Sequence, residues 1–204
     1  MSYNILAELY TNPERTVGHM NEDHLDFKDR STRIMQQITE SDPDLICLQE
    51  VDNLKNIYEP FLKGMGYEFH TEWRRIDNDA VLLGYKKDKF EMLDTHGFQH
   101  NEMVDKYGCE LFRKNNAGIL VKLRHKASEK EFIIANTHLN WKPRLDFVKY
   151  AQMVLMFQKL QGFDQRVKDN KIPVILCGDM NSPPSSQLFA FMRGEKIVPY
   201  KAVA

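Results

Sequence analysis

The sequence LICLQE occupies Leu45–Glu50, and this stretch decides the fold because a run of apolar residues ends there on a carboxylate. Two later runs have the same form, FIIANTH at Phe132–His138 and PVILCGDMN at Pro173–Asn181. A buried strand that ends on a carboxylate, an imidazole or an Asp-x-Asn pair brings that group to the rim of a sheet, where α/β folds place their sites. The three endings predict an α/β protein, and their chemistry indicates a divalent-metal phosphodiesterase.

Composition and charge limit the function classes. The chain has 204 residues, of which 42% are hydrophobic, so it can bury a sizeable core and a single domain is expected. It carries 28 Lys and Arg residues against 29 Asp and Glu residues. This balance gives no overall positive field that would attract nucleic acid, so any phosphate binding must come from a local patch or from a metal ion.

The cysteine and hydropathy patterns bear on the cellular compartment. There are three cysteines, an odd number, and two of them, Cys47 and Cys177, lie inside apolar runs. They are expected to be reduced core residues rather than parts of a disulfide framework. No apolar stretch approaches the roughly 18 to 20 residues of a membrane span, and Met1–Asn4 lacks the features of a signal peptide. We therefore expect a cytoplasmic protein with no membrane partner, with the nucleus and the mitochondrion as alternatives.

Strands and helices are expected to alternate along the chain. Ser182 is the expected N-cap of a last helix, with Pro183 at its first position. The segment Glu91–Lys114 mixes residue types and is expected to be mostly strand and loop. The periodicity of apolar residues predicts helices over Phe27–Thr39, Leu54–Met65 and Leu145–Leu160, and further strands over Ala80–Tyr85 and Ala117–Leu123.

Glu50 is the first candidate ligand. An ionised carboxylate after a buried run is costly unless it meets a cation at the sheet edge. Mg²⁺ fits best, because it takes oxygen ligands, needs only one or two protein carboxylates and leaves its other positions to water and substrate phosphate. A Glu that caps a helix or forms a salt bridge in a loop explains the pattern equally well.

Asp179 and Asn181 form a more specific pair. Residues i and i+2 of an extended segment project on the same side, so the carboxylate can orient a water molecule while the amide holds a phosphate oxygen. The alternative is an Asx-turn before the Pro-Pro pair. His138 can donate to a phosphoryl oxygen in the transition state, although a lone His in such a place is more often a structural hydrogen-bonding residue.

Two clusters carry weaker signals. His19–His24 contains His and acidic residues, but its His spacing matches no zinc signature, so a solvated loop without metal is favoured. Trp73–Arg75, Arg113–Lys114 and Trp141–Arg144 interleave basic and aromatic residues, a pattern that suits a single-stranded backbone and its bases. The alternative is ordinary surface with a half-buried Trp, and it is preferred unless these segments meet in space.

Four ordered motifs resemble the endonuclease/exonuclease/phosphatase superfamily. Within that superfamily, RIM at Arg33–Met35 and the spacing Trp141-x-Pro143 resemble the branch of carbon-catabolite-repression-type deadenylases, nocturnin, angel proteins and the 2′-phosphodiesterase. The resemblance covers nearly the whole chain. The four motifs are YNILA at Tyr3–Ala7, DLICLQEV at Asp44–Val51, NTHL at Asn136–Leu139 and CGDMNS at Cys177–Ser182.

The resemblance implies roles at the catalytic centre. Glu50 would be the principal Mg²⁺ ligand, with Mn²⁺ as an alternative ion, and Asn4 would help to hold the metal or its waters. Asp179 would orient and activate the nucleophile. Asn181 would bind the scissile phosphate, and His138 would stabilise the charge that develops on it.

The resemblance also implies three substrate-binding positions, Asp79, Asn116 and Pro143. Asn116 matches a polar position near the substrate, and Pro143 matches one that touches a bound base. At Asp79 the branch usually reads Asp-Gly-Cys-Ala, whereas this chain reads DAVL. The Asp is kept and the Gly is not, so this position departs from the pattern that permits close substrate approach.

The implied fold is a four-layered α/β sandwich, with two mixed β-sheets flanked by helices. One domain over residues 1–204 is expected, and it is expected to be incomplete at its C-terminal end. The family ends with an Asp-x-Ile strand and a Ser-Asp-His segment that nothing in Phe191–Ala204 resembles, and the last strands of the second sheet would be missing too. Losing one catalytic group often costs on the order of 10² to 10³ in rate, so weak or no activity is expected of these residues alone.

The implied reaction is Mg²⁺-dependent hydrolysis of a phosphodiester. The expected substrate is single-stranded RNA, with a poly(A) 3′ end cut to 5′-AMP, and proteins of an mRNA-decay complex are the expected partners. The same constellation serves DNA repair and inositol-phosphate and sphingolipid hydrolysis, so the substrate class rests on the branch alone. Two alternatives stay open: a phosphatase or phosphodiesterase acting on an adenine dinucleotide, and a catalytically dead relative that binds RNA or a protein partner.

Overall fold

A computed structural model describes residues 1–11, 26–74 and 78–195. In this part of the chain eight strands form two four-stranded sheets. The hypothesis about His19–His24 lies outside the described residues, as does Arg75. No helix within the described ranges is long and apolar enough to cross a membrane.

The first sheet comes from the first half of the chain, and its strand order is β1-β2-β4-β3. Strand β1 runs parallel to β2, and β4 runs antiparallel to both of its neighbours. Strand β2 is buried almost throughout, which explains why its first four residues, Leu45–Leu48, are continuously apolar rather than alternating. The strands are β1 (Ser2–Asn4), β2 (Leu45–Val51), β3 (Tyr67–Trp73) and β4 (Ala80–Lys86).

The second sheet follows in sequence and has the order β5-β6-β7-β8. Its first three strands are antiparallel to one another, whereas β8 runs parallel to β7. Parallel pairing brings the carboxyl ends of β7 and β8 to the same edge, so His138 pairs with Asp179. The strands are β5 (Phe90–Gln99), β6 (Ala117–His125), β7 (Lys130–His138) and β8 (Val174–Asp179).

Helices cover the outer face of each sheet. On the first sheet lie α1 (Phe27–Ser41) and α2 (Glu59–Gly64), and α2 continues a π-helical turn at Leu54–Tyr58. On the second sheet lie α3 (Glu102–Tyr107), α4 (Asp146–Phe163) and α5 (Gln187–Met192). The three long helical segments expected from apolar periodicity are therefore confirmed.

Three apolar layers separate these four structural layers. On β4, Leu82 packs outward against α1, whereas Val81 and Leu83 point inward toward the second sheet, as the alternation of a strand requires. The inner layer joins both sheets, and the second outer layer joins the second sheet to α4. The four-layered α/β sandwich of two mixed sheets is confirmed.

The last helix begins later than the sequence predicts. Its N-cap is Ser186 rather than Ser182, and Ser186 Oγ accepts a hydrogen bond from Phe189 N at 3.5 Å. Pro183 and Pro184 form a turn first, in which Ser186 N donates to Pro183 O at 2.9 Å. The physical reason is that Pro183 precedes Pro184. A residue that precedes Pro is disfavoured in the α region, so the helix does not begin at Pro183.

The segment Glu91–Lys114 contains more regular structure than expected. Most of β5 lies in it, and the short helix α3 and a 3₁₀ turn at Glu110–Phe112 follow. A helix of six residues is too short to show a clear apolar period. Strand β3 is also absent from the sequence-based prediction, since it is an edge strand with two charged residues, Glu68 and Glu72.

Candidate active site

Two carboxylates from different sheets converge on one amide. Asn4 ends β1 and donates from Nδ2 to Glu50 Oε1 at 2.8 Å and to Asp179 Oδ2 at 2.9 Å. Leu6 fixes the orientation of the amide, because its N–H donates to Asn4 Oδ1 at 3.0 Å. Glu50 comes from β2 and Asp179 from β8, so this contact joins the carboxyl edges of the two sheets.

The imidazole of His138 faces both carboxylates. Its Nε2 lies 3.8 Å from Glu50 Oε1 and 3.9 Å from Asp179 Oδ2. Burial lowers the pKa of His138 below its ordinary value, although the two carboxylates oppose this shift. The buried Nδ1 has no hydrogen-bond partner among the described residues. An oxygen of a ligand placed between the carboxylates would therefore lie within reach of the ring.

A β-bulge directs Glu50 toward Asn4, His138 and Asp179, and these four residues form a cluster. Leu48 pairs with Leu82 and Val51 with Ala80, so positions 48 to 51 of β2 oppose only positions 80 to 82 of β4. Glu50 has φ 59°, a left-handed conformation that is uncommon for a residue other than Gly. Backbone strain of this kind concentrates at functional sites. The bulge thus places the carboxylate at Asn4 instead of continuing the regular alternation of the strand.

Asp179 and Asn181 form the Asx-turn that the sequence offered as an alternative. The N–H of Asn181 donates to Asp179 Oδ1 at 2.9 Å, and Asn181 Nδ2 donates to Leu139 O at 3.0 Å. These bonds use one oxygen of Asp179 and leave Oδ2 directed at Asn4. The turn therefore orients the carboxylate, and the phosphate-binding role of Asn181 stays a prediction.

Gly178 permits a close approach of two strands beside the cluster. Its φ is 144°, and a Cβ added there would lie 2.1 Å from Thr137 O. No other residue fits this space without moving the backbone. The glycine therefore lets β8 pass near β7 and fixes Asp179 opposite His138.

Two buried side chains of α4 hold the loops around the cluster. Lys149 Nζ donates to Asn181 O at 2.7 Å and to Asp146 Oδ1 at 3.1 Å. Gln152 Nε2 donates to Asn116 Oδ1 at 2.8 Å, and Gln152 Oε1 accepts from Asn140 N at 2.9 Å. One helix face thus positions the turn after β8, the residue before β6 and the loop after β7.

Replacing Gln152 by Leu should lower the free energy of unfolding by about 2 to 4 kcal/mol, because two buried polar groups lose their partners. The matched control is Gln158→Leu on the exposed face of the same helix, where a change within about 0.5 kcal/mol is expected. Urea unfolding followed by circular dichroism measures both. Equal losses in the two variants would contradict this role for Gln152.

A buried ion pair stands beside the cluster. Arg74 Nε donates to Asp79 Oδ1 at 2.8 Å and Nη2 donates to the same oxygen at 2.6 Å. The guanidinium also lies 5.6 Å from the ring centroid of Tyr10 and hydrogen-bonds its hydroxyl. Arg74 is 8% exposed and Asp79 is 1% exposed, so the carboxylate sits behind the guanidinium and fixes it.

A cleft of about 360 Å³ opens over Glu50 and His138. Its wall holds two cationic side chains, Arg74 and Lys114, and the indole ring of Trp141 beside the Tyr10 ring. Arg74, Lys114 and Trp141 come from the basic and aromatic segments of the sequence, so these segments do meet in space and ordinary surface is no longer the preferred interpretation. The lining residues are Tyr10, Glu50, Arg74, Lys114, Asn116, His138, Asn140 and Trp141.

The predicted site residues fall into three groups. Four form the cluster, one lines the cleft, and the remaining three belong to neither set. Asp79 is buried behind Arg74, Asn181 is held by the Asx-turn, and Pro143 is exposed at the start of a 3₁₀ turn at Pro143–Leu145. The four in the cluster are Asn4, Glu50, His138 and Asp179, and the one in the cleft is Asn116.

Sequence reasoning missed the supporting residues. Gln152 stands among the apolar positions of its helix, and an uncharged polar residue in that position is the available signal. Asn136 inside the apolar run of β7 was a similar signal. No sequence signal marked Lys149, because one Lys in a helix is usually exposed.

The donor set fits a magnesium ion. Glu50 Oε1 and Asp179 Oδ2 are hard oxygen donors that face the same amide, and Mg²⁺ needs only one or two carboxylates from the protein. In the described part of the chain no group of three or more His, Cys, Asp or Glu side chains is arranged to hold a metal. An ion held by this pair would take its remaining ligands from water and substrate.

Comparison with known proteins decides the family. A model described as the Endonuclease/Exonuclease/phosphatase family matches residues 1–198. The chain belongs to the endonuclease/exonuclease/phosphatase family. Within this family it is 31% identical to Protein angel homolog 2 of Danio rerio over 206 residues, which cover 97% of this chain and 35% of that protein. The place of this family member in the deadenylase and angel branch is confirmed.

Two further comparisons bear on the chemistry of this endonuclease/exonuclease/phosphatase family member. It is 25% identical to the CCR4-Not complex 3'-5'-exoribonuclease subunit Ccr4 of Yarrowia lipolytica, over 98% of this chain and 34% of that protein. The crystal structure of ANGEL2, a 2',3'-cyclic phosphatase in complex with adenosine-2',3'-vanadate, matches with a TM-score of 0.86 at 27% identity. That match covers 95% of this chain and 56% of the ANGEL2 chain. The chain spans about a third of the length of the curated relatives it matches.

Proposed function

We propose that this protein is a magnesium-dependent hydrolase that acts on phosphate esters at the 3′ end of single-stranded RNA. The proposal rests on one observation. Asn4 Nδ2 donates hydrogen bonds to both Glu50 and Asp179, and His138 Nε2 lies within 4 Å of both carboxylates. A cationic wall at Arg74 and Lys114 stands in the cleft over this cluster. Converging carboxylates suit a metal ion, and the cations suit the phosphates of the substrate.

The proposed reaction is in-line attack of water on the terminal phosphodiester. The oxygen of water bonds to phosphorus, the bond from phosphorus to the 3′ oxygen of the preceding nucleotide breaks, and that oxygen takes a proton. The products are 5′-AMP and an RNA shortened by one nucleotide. Magnesium, when bound, supplies positive charge that offsets the charge of the transferred phosphoryl group.

The protein side chains orient the attacking water, stabilise the phosphoryl group and bind phosphate. Asp179 orients the attacking water, because the Asx-turn and Asn4 hold its carboxylate in one orientation, and the proton of the water passes to the solvent. His138 donates a hydrogen bond to a phosphoryl oxygen, and burial strengthens that bond. Arg74 is held by Asp79 and binds a phosphate without having to be ordered first.

Support for an RNA substrate comes from a relative. The Yarrowia lipolytica protein carries the name of an exoribonuclease subunit of the CCR4-Not complex. We extend this to the present chain as a preference for a poly(A) 3′ end, with proteins of an mRNA-decay complex as partners. Cleavage of oligo(A) but not oligo(C) would support the base preference.

A second candidate reaction is hydrolysis of a 2′,3′-cyclic phosphate at the RNA end. The structural match with ANGEL2, described as a 2',3'-cyclic phosphatase, favours it. The same cluster serves both reactions, since each places a phosphoryl group between the carboxylates and the cationic wall. The two differ in their products, because removal of the cyclic phosphate takes two successive hydrolyses, one for each P–O bond to the ribose, and releases inorganic phosphate while the chain length stays unchanged.

The deciding experiment incubates the purified chain with 5′-labelled oligo(A) that ends in either a 3′-hydroxyl or a 2′,3′-cyclic phosphate. Each reaction is run with Mg²⁺ and with EDTA. We expect a slow shortening ladder, or slow release of phosphate, that requires Mg²⁺ and falls at least about 10³-fold in EDTA, since the metal supplies the charge that the reaction needs.

The outcomes separate the proposals. A ladder supports the exoribonuclease, and phosphate release without shortening supports the cyclic phosphatase. Preference for an adenine dinucleotide over both RNAs would move the function to a small-molecule phosphatase. Binding of RNA by the folded chain with no reaction on any substrate would contradict hydrolysis and leave a binding protein.

A further inference from the structure

The ring of Trp141 is unusually exposed for its position. Trp141 is 66% exposed, the largest exposed fraction among the large hydrophobic residues of the described ranges. It lines the cleft over Glu50 and follows the end of β7 by three residues. A large apolar ring left in water at the wall of a cationic cleft is a candidate contact for a ligand.

The backbone that carries Trp141 is held on both sides. Asn140 N donates to Gln152 Oε1 at 2.9 Å, and Lys142 N donates to Asn140 Oδ1 at 3.1 Å. Asn140 is 5% exposed, so this anchor is buried. The ring is therefore presented by a fixed loop, which lowers the entropy lost when a ligand stacks on it.

Positive charges surround the ring. Lys142 Nζ lies 5.7 Å from the centroid of the Trp141 ring, and Lys114 and Arg74 line the same cleft. Glu50 is the acidic residue of the lining. Sites that bind single-stranded nucleic acid combine cationic side chains, which bind the phosphates, with aromatic rings, on which the bases stack. The Trp141 ring and its neighbouring cations have this composition.

We infer that Trp141 is a stacking platform for a base of single-stranded RNA next to the scissile phosphate. The inference deepens the proposed function by assigning the residue that distinguishes a nucleotide chain from other phosphate esters. A base in a duplex is already stacked on both faces, so the platform selects single strands. The phosphates would lie along Lys114 and Arg74, and the ring would contribute affinity that a phosphate without a base does not gain.

The test uses the fact that the chain has two Trp residues. Trp73 ends β3 and does not line the cleft, so it is the matched control. In Trp73→Phe the fluorescence reports Trp141 alone, and in Trp141→Phe it reports Trp73 alone. Titrations in EDTA at low salt measure binding without turnover, so they do not depend on whether the protein hydrolyses RNA.

The expected result is saturable quenching of Trp73→Phe by a six-nucleotide oligo(A), with little quenching by duplex RNA or tripolyphosphate. Trp141→Phe should show no quenching. By anisotropy of a labelled oligo(A), Trp141→Leu should bind roughly 5- to 150-fold more weakly than wild type, the range of base–aromatic stacking. Trp141→Phe should keep most of the affinity, because its ring is still flat, and tripolyphosphate should bind wild type and Trp141→Leu equally.

Several outcomes would overturn the inference. One is equal oligo(A) affinity of Trp141→Leu and Trp73→Leu in folded proteins, and another is equal quenching by duplex and single strands. Absence of RNA binding in EDTA would also reject the inference and would indicate that Trp141 contacts a protein partner instead. Quenching without hydrolysis under any metal condition would support the stacking role while contradicting the proposed enzyme.

Discussion

Glu50→Gln should reduce Mg²⁺-dependent hydrolysis by at least about 10³-fold, equivalent to roughly 4 kcal/mol of transition-state stabilisation. The substitution keeps the size of the side chain and an oxygen that can accept from Ala7 N, which donates to Glu50 Oε2 at 3.1 Å. It removes the negative charge that would hold the metal. Mg²⁺ affinity should therefore fall together with activity, and isothermal titration calorimetry measures it without a substrate.

Glu59→Gln is the matched control for this substitution. Glu59 pairs with Lys63 on the surface of α2, and an exposed i,i+4 pair of this kind contributes at most about 0.5 kcal/mol. We expect unchanged activity and unchanged Mg²⁺ affinity in this control. If Glu50→Gln kept half of the wild-type turnover with unchanged Mg²⁺ binding, the carboxylate pair would not be the metal centre.

The second large effect is expected at Asn136, which links the two sheets. Asn136 is fully buried on β7, and its Nδ2 donates to Leu48 O at 2.9 Å and to Leu82 O at 2.8 Å in the first sheet. Its Oδ1 accepts from Gln49 Nε2 at 2.8 Å. Asn136→Leu breaks all three bonds and leaves two buried carbonyls without this donor, so the free energy of unfolding should fall by about 3 to 5 kcal/mol.

Such a loss is a large part of the roughly 5 to 15 kcal/mol that stabilises a domain, so urea unfolding will show it clearly. Gln36→Leu is the control, because the Gln36 amide lies exposed on α1 and bonds Glu40 at 2.7 Å. Gln49→Met is a milder variant that removes one of the three bonds. A stable Asn136→Leu protein, with an unfolding free energy within 1 kcal/mol of wild type, would show that the sheets dock without this network.

The sequence predicts those parts of the fold in which burial requires a recognisable pattern of apolar residues. Strands β2 and β7 appear as apolar runs because they lie inside a layered sheet, and α1 shows an apolar period because one face packs inward. Strand β8 is also an apolar run, although it is an edge strand whose residues are exposed or half-buried. The edge strand β3 and the short α3 were missed because half-exposed or short elements leave weak patterns.

Candidate site residues at strand ends were predictable, whereas their mutual contacts were not. A polar residue after an apolar run marks Glu50, His138 and Asp179 in the sequence. The bulge at Glu50 and the bonds from Asn4 to both carboxylates depend on strand register, which no local pattern encodes. The same holds for Arg74, whose place in the cleft depends on a buried partner five residues later.

Each sheet is made by one unbroken half of the chain, and residues 87–89 connect them. A nascent chain that has emerged only as far as this connection holds Asn4 and Glu50 but neither His138 nor Asp179. The first sheet can form at that stage, yet the four side chains meet only after β8 has been synthesised and docked. Assembly of the four side chains therefore has to wait for β8, so a polypeptide that stops before β8 lacks Asp179 and the complete cluster.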